Sequence, residues 1–403
     1  MKKILFLFLS AATLCACSRY DKSEPGFFSE DAKGDYGDYA DGGAGGNGGG
    51  TDEQGKAGVV TAGEWRDLDN WLFWSELMAD SSEYASNCDY WGFYTNNRVA
   101  VRVTDNGGNP QRDIPVQLIR LAQGSGEPTI LYEARTDNKG ETNLWIGLTQ
   151  KQQSVETASL RLVVDGIAQE QPVEVTRWNE EVKWNTCTAY GTASSNIDIA
   201  FIVDATGSMT DEINFLKADL TNIIQTVSAK NTAYDIRTAA VFYRDEGDDY
   251  LTRESDFTSD LTITTSFIGK QSAEGGGDYP EAVHTALETG LQKLSWREDD
   301  CIRLAFMLLD APPHKNSQVI ASLHKSIPLY AKSGIRIIPV AASGVDKSTE
   351  FFLRFAAMAT DGTYVFITND SGVGNEHIAA TVGKYEVEQL NELIARLIYQ
   401  YME

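Results

Sequence analysis

The feature that most constrains this chain is an apolar run at residues 197–203 that leads into a turn rich in oxygen-bearing side chains. The run is β-branched enough to form a buried strand of a parallel sheet. The turn contains Asp204, Thr206 and Ser208, and Gly207 permits a tight bend. Residues 210–229 follow with apolar side chains at helical spacing. This order is typical of a binding crevice at the carboxyl edge of an α/β sheet.

Two later segments carry carboxylates at comparable places. Residues 275–281 have the sequence GGGDYPE, and residues 302–309 form a second apolar run that ends at Asp310. Because parallel strands end at one edge of a sheet, we expect the three loops to converge. Carboxylates and hydroxyls are ligands for hard cations, so Mg²⁺ is favoured, with Ca²⁺ or Mn²⁺ as alternatives. The predicted ligands are Asp204, Thr206, Ser208, Asp278 and Asp310. The alternative is a purely structural use of the same loops, as helix caps and turns.

Together these segments resemble the von Willebrand factor A (vWA) domain and its metal-ion-dependent adhesion site. The family's Asp-x-Ser/Thr-x-Ser motif matches Asp204, Thr206 and Ser208, and its later strand-end aspartate matches Asp310. Many members have threonine where this chain has Asp278, and the chain resembles a subset with GGGDxPE and DAPPH-like segments. The extra carboxylate makes the ion less electrophilic than in integrin-type sites, where a partner's acidic side chain completes the coordination.

The resemblance covers residues 194–403 and implies a doubly wound, mostly parallel, six-stranded α/β sheet. The predicted strands are 197–203, 236–243, 261–267, 302–309, 335–340 and 363–367, and the predicted helices are 210–229, 280–294, 317–333, 348–360 and 385–402. In relatives such as the integrin inserted domains the terminal helix slides when ligand engages the metal. The resemblance implies that behaviour for residues 385–402, although nothing in their sequence indicates a switch.

The region before this domain has a different pattern. Residues 98–185 alternate apolar and polar side chains in six or seven short runs, which predicts a small antiparallel β-sandwich. Its layout resembles carboxypeptidase-regulatory-like and bacterial immunoglobulin-like modules, which act mostly as spacers. Residues 63–97 are rich in tryptophan and predict a helical segment or linker. Its apolar face packs on a neighbouring domain or, alternatively, binds a partner.

The amino terminus resembles a bacterial lipoprotein signal. A basic start and a short apolar run end in the sequence LCAC, so residues 1–16 are the predicted signal peptide and Cys17 the lipidated residue. An ordinary secretory signal is the alternative. Residues 17–62 are rich in glycine and acidic residues and predict a disordered tether. We therefore expect a protein anchored by lipid in the cell envelope, in the outer membrane of a Gram-negative bacterium.

Charge and cysteine content limit the partners and the crosslinks. The net charge of −24 over 403 residues disfavours nucleic acid and anionic lipid as partners. Three cysteines remain after the signal region, and Cys301 lies in a predicted buried strand. Cys88 and Cys187 flank the β-rich module in polar sequence, so a disulfide between them is predicted, with two unpaired linker thiols as the alternative.

These observations favour a non-enzymatic protein that binds a protein ligand through a divalent metal, in adhesion or envelope assembly. A static scaffold without metal-dependent binding is the first alternative. The second is a metal-assisted hydrolase, in which Asp204, Asp278, Glu281 and Asp310 surround an ion near His314. Against an enzyme, the chain lacks H-E-x-x-H and G-x-S-x-G motifs and a phosphate loop. His314 is interpreted as a loop or capping residue.

Overall fold

The computed structural model describes residues 56–79, 82–122, 124, 126–151, 155–191, 195–230, 233–374 and 377–403. All of them belong to one compact unit that begins at Glu53. The predicted signal peptide, Cys17 and all but the end of the predicted tether lie outside the described residues. In the part of the chain that is described, no helix has both the length and the apolar character needed to cross a membrane.

The described chain begins with a strand and two short helices. These are β1 (Thr61–Trp65), α1 (Trp71–Leu77) and α2 (Ser86–Trp91). The tryptophans of the helices are buried against a later helix: the Trp74 ring stacks on Phe351 at 5.7 Å, and the Trp91 indole N–H donates to Ser348 O at 3.0 Å. The tryptophan-rich segment therefore packs on a neighbouring domain, the first of the two alternatives.

Eight strands follow and form two four-stranded sheets. They are β2 (Asn97–Thr104), β3 (Pro115–Arg120), β4 (Thr129–Arg135), β5 (Glu141–Trp145), β6 (Leu160–Val164), β7 (Ile167–Ala168), β8 (Thr176–Arg177) and β9 (Trp184–Thr188). One sheet has the order β4-β3-β6-β7, and in the other β2 lies between β5 and β8 and also pairs with β9. The pairings are antiparallel except β2 with β9, which is parallel. Alternate side chains such as Val99, Val101 and Leu118 enter a shared core.

The large sheet is built from the remaining strands and β1. They are β10 (Asn196–Asp204), β11 (Asp235–Tyr243), β12 (Thr252–Thr258), β13 (Cys301–Leu309), β14 (Ile335–Ala341), β15 (Tyr364–Ile367) and β16 (Glu388–Gln389). The order is β12-β11-β10-β13-β14-β15-β1-β16. The five central strands are parallel, and the outer three pair antiparallel. The sheet is thus eight-stranded and mixed, whereas six mostly parallel strands were predicted.

Six helices accompany this sheet: α3 (Thr210–Lys230), α4 (Leu261–Gly269), α5 (Val283–Gln292), α6 (Ser317–Lys332), α7 (Lys347–Ala359) and α8 (Leu390–Met402). The strand predicted at 261–267 is wrong, because these residues form α4. The Asp260 carboxylate caps this helix by accepting from the Thr262 N–H at 3.1 Å. Thr264 and Ile268, four residues apart, are its buried side chains. Helix capping and sheet contact thus override the strand propensity of the β-branched residues here.

Helices cover both faces of the large sheet, as the side chains of β10 indicate. Ile197, Ile199 and Phe201 belong to one apolar cluster, whereas Ala200 and Ile202 belong to the other. Because every side chain from Ile197 to Asp204 is buried, β10 is a central strand whose polar end opens at the carboxyl edge.

The disulfide predicted between Cys88 and Cys187 is not formed. Both cysteines are free, and both are buried, as is Cys301. The Cys88 sulfur lies 3.6 Å from the Met78 sulfur, in a core that also contains Trp91. The polar sequence around Cys88 and Cys187 does not indicate that each thiol faces inward. Burial raises the pKa of both thiols, as expected for inert core cysteines.

Candidate metal centre

The predicted site begins at the last residue of β10. Asp204 is fully buried, and its Oδ1 accepts from the Thr206 N–H at 2.9 Å and from the Thr206 hydroxyl at 2.7 Å. A short 3₁₀ turn over Gly207–Met209 then leads into α3. The turn is held by the Ala205 N–H, which donates to Tyr243 O at 2.9 Å. Asp204 Oδ1 thus orders the turn, whereas Asp204 Oδ2 accepts no hydrogen bond from the described residues.

Ser208 connects this turn to the end of the neighbouring strand. Its hydroxyl lies 3.2 Å from the Thr206 hydroxyl, and Ser208 lies close enough to Asp310 to oppose the rise in the pKa of that carboxyl. Asp310 directly follows β13, which pairs in parallel with β10, so Asp204 and Asp310 leave the sheet at the same edge. The structure therefore connects Asp204, Thr206 and Ser208 through hydrogen bonds and places Asp310 at the same edge of the sheet.

The fifth predicted ligand, Asp278, is placed differently. It lines the same cleft of about 400 Å³ as Ser208 and Asp310, but it is exposed. The buried carboxylate of that loop belongs to Glu281, which is 3% exposed. The Glu281 N–H donates to Pro312 O at 2.8 Å, which fixes the residue against the loop after β13. Sequence reasoning ranked Asp278 as the ligand because the family motif aligns there.

Two glycines let these loops approach each other. A side chain at Gly276 would lie 2.9 Å from Glu281 Oε1 and 3.3 Å from Thr206 Cβ, and the φ of Gly276 is +72°. A side chain at Gly207 would lie 2.8 Å from Gly275 O, to which the Gly207 N–H donates at 3.0 Å. The glycines therefore serve close packing of the Glu281 carboxylate against the turn after β10.

The electrostatics of the cleft are dominated by unbalanced negative charge. Burial raises the pKa of Asp204 to about 6. Burial and the charge of Asp204 raise the pKa of Asp310 to about 7. Burial, followed by Asp204, Asp245, Asp310 and Asp248, raises the pKa of Glu281 to about 9. Each carboxylate thus makes it harder to ionise its neighbours, which is the expected behaviour of acids that share a site without a cation.

The same carboxylates have oxygens without a donor. Among the described residues, Asp204 Oδ2, Asp310 Oδ1 and Glu281 Oε2 are buried and have no hydrogen-bond partner. Such an oxygen costs free energy unless a donor or a cation reaches it. Carboxylates and hydroxyls together form an oxygen-only ligand set, which fits Mg²⁺, Mn²⁺ or Ca²⁺. The residues therefore fit a hard divalent cation at the ends of β10 and β13.

A second group of ligand-type side chains lies beside the first. Asp245 follows β11 and is 5% exposed, and its Oδ1 lies 2.7 Å from His314 Nε2. Ligand atoms of Asp245, Asp278 and His314 all lie within 4.8 Å of one another. Asp248 organises this loop by accepting from the N–H groups of Asp245 at 3.1 Å and Gly276 at 2.9 Å. The sequence analysis did not connect Asp245 with His314.

Comparison with known proteins identifies the domain that carries these residues. The family model for the von Willebrand factor A domain matches residues 198–345. A putative ariadne-like RING finger protein of Acanthamoeba polyphaga mimivirus is 34% identical over 121 residues, which are 30% of this chain and 12% of that protein. The alpha-protein kinase vwkA of Dictyostelium discoideum is 28% identical over 228 residues, 56% of this chain and 35% of that protein.

The chain thus spans far less than two thirds of either relative. A conserved hypothetical protein, BatB of Bacteroides thetaiotaomicron, matches 51% of this chain and 98% of its own at 12% identity. Its TM-score to this chain is 0.34. The family match covers the residues from β10 through the loop after β14, including Asp204 and Asp310. Residues 198–345 therefore form a von Willebrand factor A domain, a type of domain that commonly mediates protein interactions.

Proposed function

We propose that this protein is a non-catalytic binding protein whose vWA domain holds a divalent cation and engages a protein partner through it. The observation that carries the proposal is the set of three buried carboxylate oxygens without donors, next to two hydroxyls, at the mouth of a cleft. A cation between Asp204 and Asp310 would supply the missing partner for an oxygen of each. Mg²⁺ is the expected ion because the ligand set contains only oxygen.

In this proposal Asp204, Thr206, Ser208 and Asp310 hold the ion, directly or through water. Glu281 replaces Asp278 as the buried carboxylate next to them, since Glu281 is 3% exposed and Asp278 faces solvent. Two or three carboxylates around one divalent ion leave it close to neutral. The ion then attracts a partner's oxygen ligand less strongly than an ion held by fewer acids would.

The rim of the cleft offers a contact surface for a protein. Tyr279 is 44% exposed, and its hydroxyl donates to Gly344 O at 2.9 Å and accepts from the Asp346 N–H at 3.1 Å. The aromatic ring is thus held rigidly beside the proposed ion, as is typical of residues that dominate protein interfaces. A partner that supplies an acidic side chain or other oxygen ligand would contact both the ion and this ring.

The test is recovery of partners from envelope extract with the purified chain, with Mg²⁺ or with EDTA. We expect EDTA to release the specific partner, Mg²⁺ to restore it, and Asp204→Asn to abolish its capture. Asp256→Asn is a matched control, because Asp256 is an exposed carboxylate that contacts Ser295 away from the cleft. A partner that binds equally with EDTA and with Asp204→Asn would establish the static-scaffold alternative.

We also propose that lipid on Cys17 anchors the chain in the cell envelope, in the outer membrane of a Gram-negative bacterium. The support is the sequence alone: a basic start and a short apolar run that ends in LCAC. Metabolic labelling with a fatty-acid probe should mark the wild type and not Cys17→Ser. Equal labelling of both proteins would contradict the anchor.

A further inference from the structure

We propose that Asp245, Asp278 and His314 form a second metal site, which takes a first-row transition metal such as Zn²⁺. The site differs from the oxygen-only site because one of its ligands is a ring nitrogen. Its residues come from three separate loops, after β11, before α5 and after β13, and the sheet brings these loops together at its carboxyl edge.

The geometry is that of a half-assembled metal site. One ligand atom from each of the three side chains lies within 4.8 Å of the other two. Asp245 is nearly fully buried, His314 is half-buried and Asp278 is exposed, so the site is anchored at its base and open at its top. A cation at the centre of such a set leaves room for water or a further ligand on the exposed side.

A His–Asp ion pair alone does not account for the group. His314 Nε2 and Asp245 Oδ1 are 2.7 Å apart, so in the metal-free protein a proton lies between them. Asp278 adds a second carboxylate, although one is enough to pair with an imidazole. A divalent cation would replace the proton between Nε2 and Oδ1, and Asp278 would become its third ligand. The imidazole would then bind the metal through Nε2 and hold its proton on Nδ1.

Glu281, in the same loop as Asp278, is a further buried carboxylate at this end of the cleft. Glu281 is 3% exposed, and among the described residues its Oε2 has no hydrogen-bond partner. The neighbouring Arg244 guanidinium donates to Ser272 O at 3.0 Å and faces Glu274.

The ligand types select the metal class. Imidazole favours Zn²⁺ and other late first-row ions over Mg²⁺ and Ca²⁺, which prefer oxygen ligands only. Zinc accepts both imidazole nitrogen and carboxylate oxygen, and sites with an open coordination position have three protein ligands. Zn²⁺ in the presence of excess Mg²⁺ should therefore distinguish this site from the one at Asp204 and Asp310.

The experiment is calorimetric titration of Zn²⁺ into metal-stripped full chain at millimolar Mg²⁺. We expect one Zn²⁺ per chain. His314→Gln keeps a hydrogen-bond donor for Asp245 and should weaken Zn²⁺ binding at least about tenfold. Asp278→Asn, an exposed change, should do the same. The control His324→Gln should have no effect, because His324 lies on α6 and contacts Trp91 O, away from the cleft.

Each outcome decides between explanations. Zn²⁺ binding that Asp204→Asn leaves intact and His314→Gln removes supports a separate second site, whether or not Mg²⁺ binds at Asp204. Absence of stoichiometric Zn²⁺ binding to wild type overturns the proposal. So does Zn²⁺ binding that is unchanged in both His314→Gln and Asp278→Asn, since the metal would then be held elsewhere.

Discussion

The two edges of the large sheet bury carboxylates in opposite ways. At the amino edge, where the β2–β9 module contacts the vWA domain, Asp113 accepts from the guanidinium of Arg303 at 2.9 and 3.2 Å and from that of Arg135 at 2.7 Å. Asp361 accepts there from the Thr142 hydroxyl at 2.7 Å and the Asn143 amide at 2.6 Å. These donors come from within the chain.

At the carboxyl edge no described arginine or lysine pairs with Asp204, Asp310 or Glu281. Asp204, Asp310 and Glu281 each keep an oxygen without a donor among the described residues, and the pKa of each is raised, chiefly by burial. The pKa of Asp113, by contrast, is lowered, because its two arginines outweigh its burial. The fold can thus pair a buried acid with arginines of its own, and the group of three carboxylates with raised pKa at the carboxyl edge is consistent with an external ion.

The largest effect is expected from breaking the buried ion pair between Asp113 and Arg303 at the amino edge. Asp113→Ala leaves the guanidinium of Arg303, which is 1% exposed, without its carboxylate. Breaking a buried ion pair typically costs about 3–5 kcal/mol, so we expect a fall of that size in the free energy of unfolding. Denaturant titration measures it. Asp299→Ala is the control, because Asp299 pairs with Arg135 at the surface and should cost less than about 1 kcal/mol. Equal losses for the two variants would contradict the contrast.

A second prediction concerns the carboxyl edge. Mg²⁺ at about 100 times its dissociation constant should stabilise the wild type by about 2.7 kcal/mol. In Asp204→Asn this gain should vanish, while the metal-free variant should be no less stable than the metal-free wild type, because a buried charge has been removed. Melting temperatures with and without Mg²⁺ test both points. Unchanged wild-type melting with millimolar Mg²⁺, Mn²⁺ and Ca²⁺ would refute the proposed cation site.

The smallest effect is expected at Asp219, which tests whether burial alone, without a shared site, raises the pKa of a carboxyl group. Asp219 on α3 is fully buried, its Oδ1 accepts from the Gly58 N–H at 2.7 Å, and burial raises its pKa to about 6. The unfolded chain loses this proton near pH 4, so Asp219 lowers stability as the pH rises from about 4 to 6. Asn keeps the acceptor and stays neutral.

Asp219→Asn should therefore be about 1–2 kcal/mol more stable than wild type at pH 7, with the gain shrinking below pH 4. Urea titrations at both pH values measure this, and they should give the same difference with and without Mg²⁺. A gain that depends on Mg²⁺ would mean that Asp219 is coupled to the metal site.

Much of the large sheet could be predicted from the sequence, because its central strands are continuous apolar runs. The vWA assignment from Asp204, Thr206 and Ser208 is confirmed for residues 198–345. β12 was missed because its sequence, TRESDFT, is polar and half-exposed, as an edge strand can be. β1 was missed because its pairing depends on β15, far along the chain, and not on local pattern.

The candidate site could likewise be predicted in part from the sequence. Asp204 and Asp310 follow strands whose pairing fixes where they end. Asp278 and Glu281 lie in one loop, and local sequence cannot tell which of them turns inward. That choice depends on the hydrogen bond from the Glu281 N–H to Pro312 O, which belongs to another loop. Likewise, nothing local to His314 indicates Asp245 as its neighbour.

The position of β1 has a consequence for how the chain folds. β1 lies between β15 and β16, and Thr61 reaches the Thr368 hydroxyl across 307 residues of sequence. During synthesis β1 is therefore made before β15 and β16, and it cannot pair with them until they have been made. Contacts between such distant residues slow folding, because a long loop must close before they form. Completion of the sheet at β1 is thus expected to be a late step, after the β2–β9 module and the central strands have formed.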